Sequence, residues 1–175
     1  MSLDQRLQTT SLTIRADERV VLLGASGAGK TTLIKLCNGS LQPSRGALQW
    51  RGQPLKRLPR HERRSIGTFW QDLRLVEELS VVQHINSGAL GRHGLIWALR
   101  NLLGVLEKDA CLAVMQEVHL NPSLLKRAVT ELSGGQRQRV ALARLLRQSP
   151  ELVLADAPLA ALDTVIARDG LETLV

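Results

Sequence analysis

Three short stretches of this 175-residue chain hold residue types that do chemistry on phosphates. The first, Gly24-Ala25-Ser26-Gly27-Ala28-Gly29-Lys30-Thr31-Thr32, has the spacing G-x-x-x-x-G-K-[ST]. Its three glycines let the backbone turn N–H groups inward around phosphate oxygens, and the positive end of a following helix adds to that field. Lys30 is spaced to reach the β- and γ-phosphates of a nucleotide, and the Thr31 hydroxyl to hold Mg²⁺. The second, Leu132-Ser133-Gly134-Gly135-Gln136, runs straight into a helical pattern and reads as a second anion site: small residues open the backbone where a helix N-terminus points. The third, Leu152-Val153-Leu154-Ala155-Asp156, is an apolar strand that ends in a carboxylate, the place from which an Mg²⁺-holding Asp is presented.

The elements that must position these groups follow from periodicity. Arg19-Val20-Val21-Leu22-Leu23 predicts a buried strand feeding the phosphate loop, with Ser11-Leu12-Thr13-Ile14 as a half-buried strand before it. Thr32 to Asn38 predicts a helix that Gly39 closes. Ala47-Leu48-Gln49-Trp50 reads as a short strand between Gly46 and Gly52, and His61 to Arg64 as a solvated basic face. Ile66-Gly67-Thr68-Phe69-Trp70 is a further strand, delivering Gln71 and Asp72 at its end. From Ser80 to Glu117 the texture turns helical: Val81, Val82 and Ile85, then Ile96, Leu99, Leu102 and Leu103, then Leu112, Val114, Met115 and Val118. That apolar stripe reads as core, with a partner-facing groove as the alternative. Asn121-Pro122 restarts a short helix up to about Arg127, and Arg137 to Leu146 continues the second anion motif as an amphipathic helix.

Length and composition set the bounds. A chain of 175 residues, 44% hydrophobic, buries one sizeable core and is too short for two comfortable domains. A net charge of +7 attracts anions, whether nucleotides, an acidic partner, lipid headgroups or nucleic acid, and does not choose among them. With one Phe, three Trp and no Tyr, stacking platforms for single-stranded nucleic acid are not expected. Cys37 and Cys111 read as reduced structural thiols, and His61, His84, His93 and His119 show no ligand spacing. The stretch from Gly94 to Leu106 is too short to span a membrane and is interrupted by Arg100.

On these motifs the chain resembles the ATP-binding subunits of ABC transporters. Gly24 to Thr32 look like their Walker A loop, Gln71 like the Q-loop glutamine, Leu132 to Gln136 like the signature motif, Leu152 to Asp156 like Walker B, and Ala160-Ala161-Leu162-Asp163 like the D-loop. Gly88-Ala89-Leu90-Gly91-Arg92, with Trp97 shortly after, looks most like the phosphonate importers. The resemblance implies an α/β P-loop NTPase fold with a RecA-like core over residues 1–78 and 128–175 and an inserted helical subdomain over 79–127. It implies ATP and Mg²⁺ as ligands, with Thr31, Gln71 and Asp156 toward the metal. Ser133 and the N–H groups near Gly135 would touch ATP bound by a second cassette, packed head to tail, identical or different. The other implied partners are transmembrane permease subunits and, indirectly, a solute-binding protein. The place is the cytoplasmic side of the inner membrane, peripherally bound. No nucleic-acid partner is expected.

Three departures from the family pattern bear on activity. Where the family places a water-polarising glutamate after the Walker B aspartate, this chain has Ala157, so no catalytic residue is intact. A methyl group accepts no proton, and losing a general base costs about 10²–10⁴-fold in rate. Mg-ATP binding should survive, and a glutamate-bearing partner cassette would complete a competent site with this chain's signature. Second, no aromatic precedes Trp50, so the family's adenine-stacking residue is missing. Third, 12 residues follow Asp163, short of the strand that ends in the family's switch histidine, so the central sheet is expected to be incomplete. Two other readings fit part of the sequence: a degenerate fragment without transport activity, and a nucleic-acid or ribosome-associated ABC protein. Against the second stands the lack of a long coiled-coil insertion between Gln71 and Ser133.

Overall fold

An apolar run becomes a parallel strand when a neighbouring strand takes up its backbone N–H and C=O groups, and one such pair organises the second part of this chain. In the computed structural model, which describes residues 11–93, 95–104 and 106–156, Ile66–Trp70 and Leu152–Asp156 lie side by side in parallel, from Ile66 opposite Leu152 to Trp70 opposite Asp156. Ala157, the stretch 160–163 with Asp163, and everything before Ser11 lie outside the described residues.

The chain divides into two units, residues 1–58 and 59–174. In the first, α1 (Lys30–Cys37) starts from the phosphate loop and ends at Asn38. Gly39, at φ 76°, follows, its N–H bonding the Leu36 carbonyl at 3.0 Å, as its reading as a helix stop requires. Strands β1 (Gln49–Trp50) and β2 (Gln53–Pro54) form a minimal antiparallel hairpin. Arg51 (φ 49°) and Gly52 (φ 77°) make its two-residue turn, and the Arg51 guanidinium sits 5.7 Å from the Trp50 ring centre. Among the described residues of this unit, Ile34, Leu55 and Leu58 are the buried side chains.

One expectation fails here. No strand forms at Ser11–Ile14 or Arg19–Leu23. Among the described residues no strand is paired with either segment, and Val21 and Leu23 are 78% and 90% exposed. An apolar run is a strand only when a neighbour takes up its backbone N–H and C=O groups, and composition does not supply the neighbour.

The second unit holds α2 (Arg60–Arg63), β3 (Ile66–Trp70), α3 (Val81–Ser87), α4 (Leu95–Leu102), α5 (Lys108–Glu117), α6 (Gly134–Gln148) and β4 (Leu152–Asp156), with short 3₁₀ turns between them. Its core joins Val81, Val82 and Ile85 of α3, Cys111 and Met115 of α5, and Val140, Leu142 and Leu145 of α6. Each large apolar side chain so buried is worth about 1.5–3 kcal/mol. Helix α6 reaches the sheet because Gly67 has no side chain: a Cβ there would lie 2.5 Å from Leu145 Cδ1. It reaches the turn after α3 because a Cβ on Gly88 would lie 2.1 Å from the Arg144 carbonyl oxygen. The chain enters and leaves the helical stretch at one place, where Ser80 bridges Ala128 and the N–H groups of Val81 and Val82 donate to the carbonyls of Arg127 and Leu125 at 2.9 Å.

The apolar stripe divides. Its α3 and α5 residues are core, whereas Ile96 and Leu99 on α4, and Leu103 just beyond its end, are 79%, 56% and 74% exposed, so the reading of this part as core is corrected. Periodicity says that one face of a helix is apolar, not what lies against it. Both cysteines are free thiols, Cys111 buried. Among the described residues no helix is long and apolar enough to cross a membrane.

Candidate nucleotide and metal site

The phosphate loop is built from backbone conformation. Gly27 (φ 82°) and Gly29 (φ 93°) take left-handed conformations, Gly29 directly ahead of α1. No side chain caps the start of α1, so the loop and not a capping residue faces the positive end of the helix. The Lys30 ammonium folds across the loop and donates to the carbonyls of Gly24 and Ala25 at 2.6 and 2.9 Å. An ammonium has three donors, so this clasp shapes the loop and still leaves one toward an anion. Residues 24 to 28 are exposed, and the helix places the side chain of Thr31 one residue beyond the lysine.

In the second unit, the register of β3 and β4 brings two sequence-predicted residues together. Trp70 and Asp156 are Cα partners at the ends of adjacent parallel strands, so Gln71, the next residue, leaves the sheet beside Asp156. A carboxylate and an amide oxygen suit a hard cation such as Mg²⁺, which takes one or two carboxylates and completes its shell from water and phosphate. Among the described residues there is no cluster of three His, Cys, Asp or Glu that would cage a metal by themselves. Thr31, the third residue assigned to the metal, stands in the first unit.

Behind Gln71 lies a feature that sequence reasoning missed. Leu73 (φ 55°) and Arg74 (φ 46°) are both left-handed, a costly choice for non-glycine residues, about 1–3 kcal/mol each. Arg144 of α6 holds this turn: Nη1 donates to the Arg74 carbonyl at 2.7 Å and Nη2 to the Leu73 carbonyl at 2.6 Å. The Arg74 guanidinium covers the Trp70 ring at 3.7 Å, and His84 Nε2–H donates to the Val76 carbonyl at 2.8 Å. Burial, then repulsion from Arg74, lowers the Arg144 pKa, while Asp72 opposes the shift. The signal for Arg144 was a charged residue between Ala143 and Leu145 on the buried side of an amphipathic helix.

The Leu132–Gln136 element heads α6. Leu132 is buried; Ser133 is the N-cap, its hydroxyl accepting the Gln136 N–H at 3.3 Å while Gln136 Oε1 accepts the Ser133 N–H at 2.9 Å. Gln136 thus completes a capping box. Gly134 and Gly135 are exposed, neither has a positive φ, and a Cβ on either would meet nothing within 4 Å. Neither backbone conformation nor internal packing requires glycine at these two positions.

A family model described as ABC transporter matches residues 7–160. The chain belongs to the ABC transporter family. It is 45% identical over 167 residues to the phosphonates import ATP-binding protein PhnC of Anaeromyxobacter dehalogenans, covering 93% of this chain and 33% of that one. To PhnC of Alcaligenes faecalis it is 39% identical, covering 98% of this chain and 63% of that one. The chain therefore spans between one third and just under two thirds of these curated relatives. Among solved structures, the dimeric bacterial ABC transporter cassette MJ0796 superposes with a TM-score of 0.80 at 26% identity, over 97% of this chain and 73% of that one. The same cassette bound to ADP and Pi superposes with a TM-score of 0.77 at 26% identity, again over 97% of this chain and 73% of that one. The fold is thus that of the ABC-type P-loop NTPases, as the motifs implied.

Proposed function

We propose that this chain is the ATP-binding part of an ABC-type importer, binding Mg-ATP at Gly24–Thr32 and serving the uptake of a phosphonate-like solute. The observation that carries the reading is the shared strand end at Gln71 and Asp156, the arrangement expected of a Q-loop and a Walker B aspartate. The curated relatives named as phosphonate importers support the solute class. In this reading Lys30 neutralises the β- and γ-phosphates, and Thr31, Gln71 and Asp156 would hold Mg²⁺, which supplies charge neutralisation at the transferred phosphoryl group. Residues 79–127 form the helical subdomain, and Asp163 belongs to the D-loop.

Ser133, Gly134 and Gly135 serve a second cassette. Two glycines that nothing among the described residues requires leave bare backbone at the start of a 15-residue helix, where a γ-phosphate held by a partner chain can come close. The cassette pairs head to tail, with permease subunits against the exposed apolar side chains of Ile96 and Leu99 on α4 and Leu103 just after it, at the cytoplasmic side of the membrane. Ala157 makes hydrolysis at this chain's own Walker site slow or dependent on a glutamate-bearing partner. Ala157→Glu tests this: a gain in hydrolysis places the defect at the general base, whereas bound ATP with no gain refutes it.

One observation favours a second reading, a degenerate cassette that binds nucleotide weakly. Val21 and Leu23, in the segment leading to the phosphate loop, face solvent.

A further inference from the structure

Helix α4 is held to the second unit in a different way from its neighbours. The core there draws buried apolar side chains from α3, α5, α6 and the turns before α6, whereas the buried side chain described on α4 is an amide, that of Asn101. Its Oδ1 accepts the Nδ2–H of Asn86, a fully buried residue of α3, at 2.9 Å. Asn86 Oδ1 in turn takes a weak bond from the Cys111 thiol of α5 at 3.7 Å.

A second polar bond holds α4 near its start. The Trp97 indole N–H donates to Glu107 Oε1 at 2.9 Å, and Glu107, the N-cap residue of α5, pairs through its other oxygen with Arg147 of α6. The Arg147 side chain is 11% exposed, so its charge is nearly withdrawn from water and depends on this partner. The Arg147 carbonyl accepts from Arg92 Nη2, and the His93 ring stacks on the Trp97 ring at 4.3 Å. Arg92 and Trp97, in the stretch that resembles the phosphonate importers, thus converge on α6 at Arg147 and its partner.

Hydrogen bonds are directional and weaken steeply with a small displacement, whereas apolar burial is non-directional. The attachment of α4 is therefore of the kind that is made or lost as a unit. Ile96 and Leu99 are exposed and add little burial to hold the helix down. Gly104 (φ 84°) follows its last turn, with nothing within 4 Å of a Cβ placed there, which suits a pivot.

We propose that α4 is a strap, latched by the bonds from Trp97 to Glu107 and from Asn86 to Asn101, that opens on its own while α3, α5 and α6 stay folded. The latch sets where the apolar side chains of Ile96 and Leu99 stand, whatever meets them.

The test is native-state hydrogen exchange of the whole chain, read by mass spectrometry at the amides from Leu99 to Gly104, where the Leu103 N–H donates to the Leu99 carbonyl at 3.0 Å. After correction for intrinsic rates, these should be protected about tenfold less, or lower still, than the amides of α3, α5 and α6. Trp97→Phe removes the indole N–H but keeps an aromatic ring beside His93 and leaves the pair of Glu107 with Arg147. It should speed exchange in α4 about fivefold, the loss of one hydrogen bond, with α3, α5, α6 and the urea midpoint unchanged. Asn101→Ala should act in the same direction through the other bond. Protection of α4 equal to that of α5 and α6 would overturn the proposal. So would variants that leave α4 exchange unchanged, or that speed all four helices together.

Discussion

Arg144 clasps the carbonyl of Leu73 at 2.6 Å, tying the helix headed by Ser133 to the turn that follows Gln71. Removing that guanidinium strands two carbonyls of consecutive left-handed residues. Arg144→Met should therefore cost about 1–3 kcal/mol in urea unfolding. Arg144→Lys, restoring one donor without the fork, should fall between wild type and Met. Equal stability of all three would show that the clasp carries no energy.

At the head of α6 the two signature glycines invert the usual relation between stability and function. Gly135→Ala meets no neighbour and gains helix propensity, so the folded chain should be unchanged or up to about 1 kcal/mol more stable. If the proposed head-to-tail pairing holds, pairing in Mg-ATP, read by light scattering, should be lost, because the methyl group would stand where that proposal brings the partner's γ-phosphate. Loss of stability in that variant would mean that the glycine serves internal packing.

The same arithmetic runs the other way at Gly88. An alanine Cβ would overlap the Arg144 carbonyl oxygen, so Gly88→Ala must push α6 off the turn after α3. A loss of about 1–3 kcal/mol in urea is expected from such overpacking, and an unchanged midpoint would contradict the described contact.

Two buried groups set opposite pH edges. Burial chiefly, with a smaller part from Arg144, lowers the His84 pKa, while its bond to the Val76 carbonyl opposes. The folded state prefers the neutral ring, so its contribution to stability is present above the ordinary histidine value near 6.5 and is lost as pH falls below it. Burial pushes the Cys111 thiol up to about 11 from 9.0, so its contribution is full below 9.0 and is lost as pH rises toward 11. His84→Gln should flatten the acid edge in denaturation scans across pH, and Cys111→Ser the alkaline one. Unaltered edges would assign the pH dependence elsewhere.

Much of this was legible in the chain because local chemistry and tertiary structure agree. Ser133 and Gln136 announce a capped helix, and α6 begins where they place it. The strands at Ile66 and Leu152 read correctly because each pairs with the other. Arg19–Leu23 has the same apolar texture and formed no strand, since pairing depends on a neighbour and not on the run itself. Ile96, Leu99 and Leu103 show a helical period whose simplest reading is core, yet all three side chains are exposed. The sequence marks Arg144 only by its place between Ala143 and Leu145 on the buried side of α6; its partners, backbone carbonyls 70 and 71 residues away, are not legible from that pattern.

The central claim is that Gly24–Thr32 forms a working nucleotide site, and the most direct measurement is thermal unfolding of the whole chain with and without Mg-ATP, beside Lys30→Ala. A single transition that Mg-ATP raises in the wild-type chain and not in the variant is expected if Lys30, which clasps the loop carbonyls, also meets the phosphates as proposed. No nucleotide effect on the wild-type chain, or an equal effect on Lys30→Ala, would contradict it.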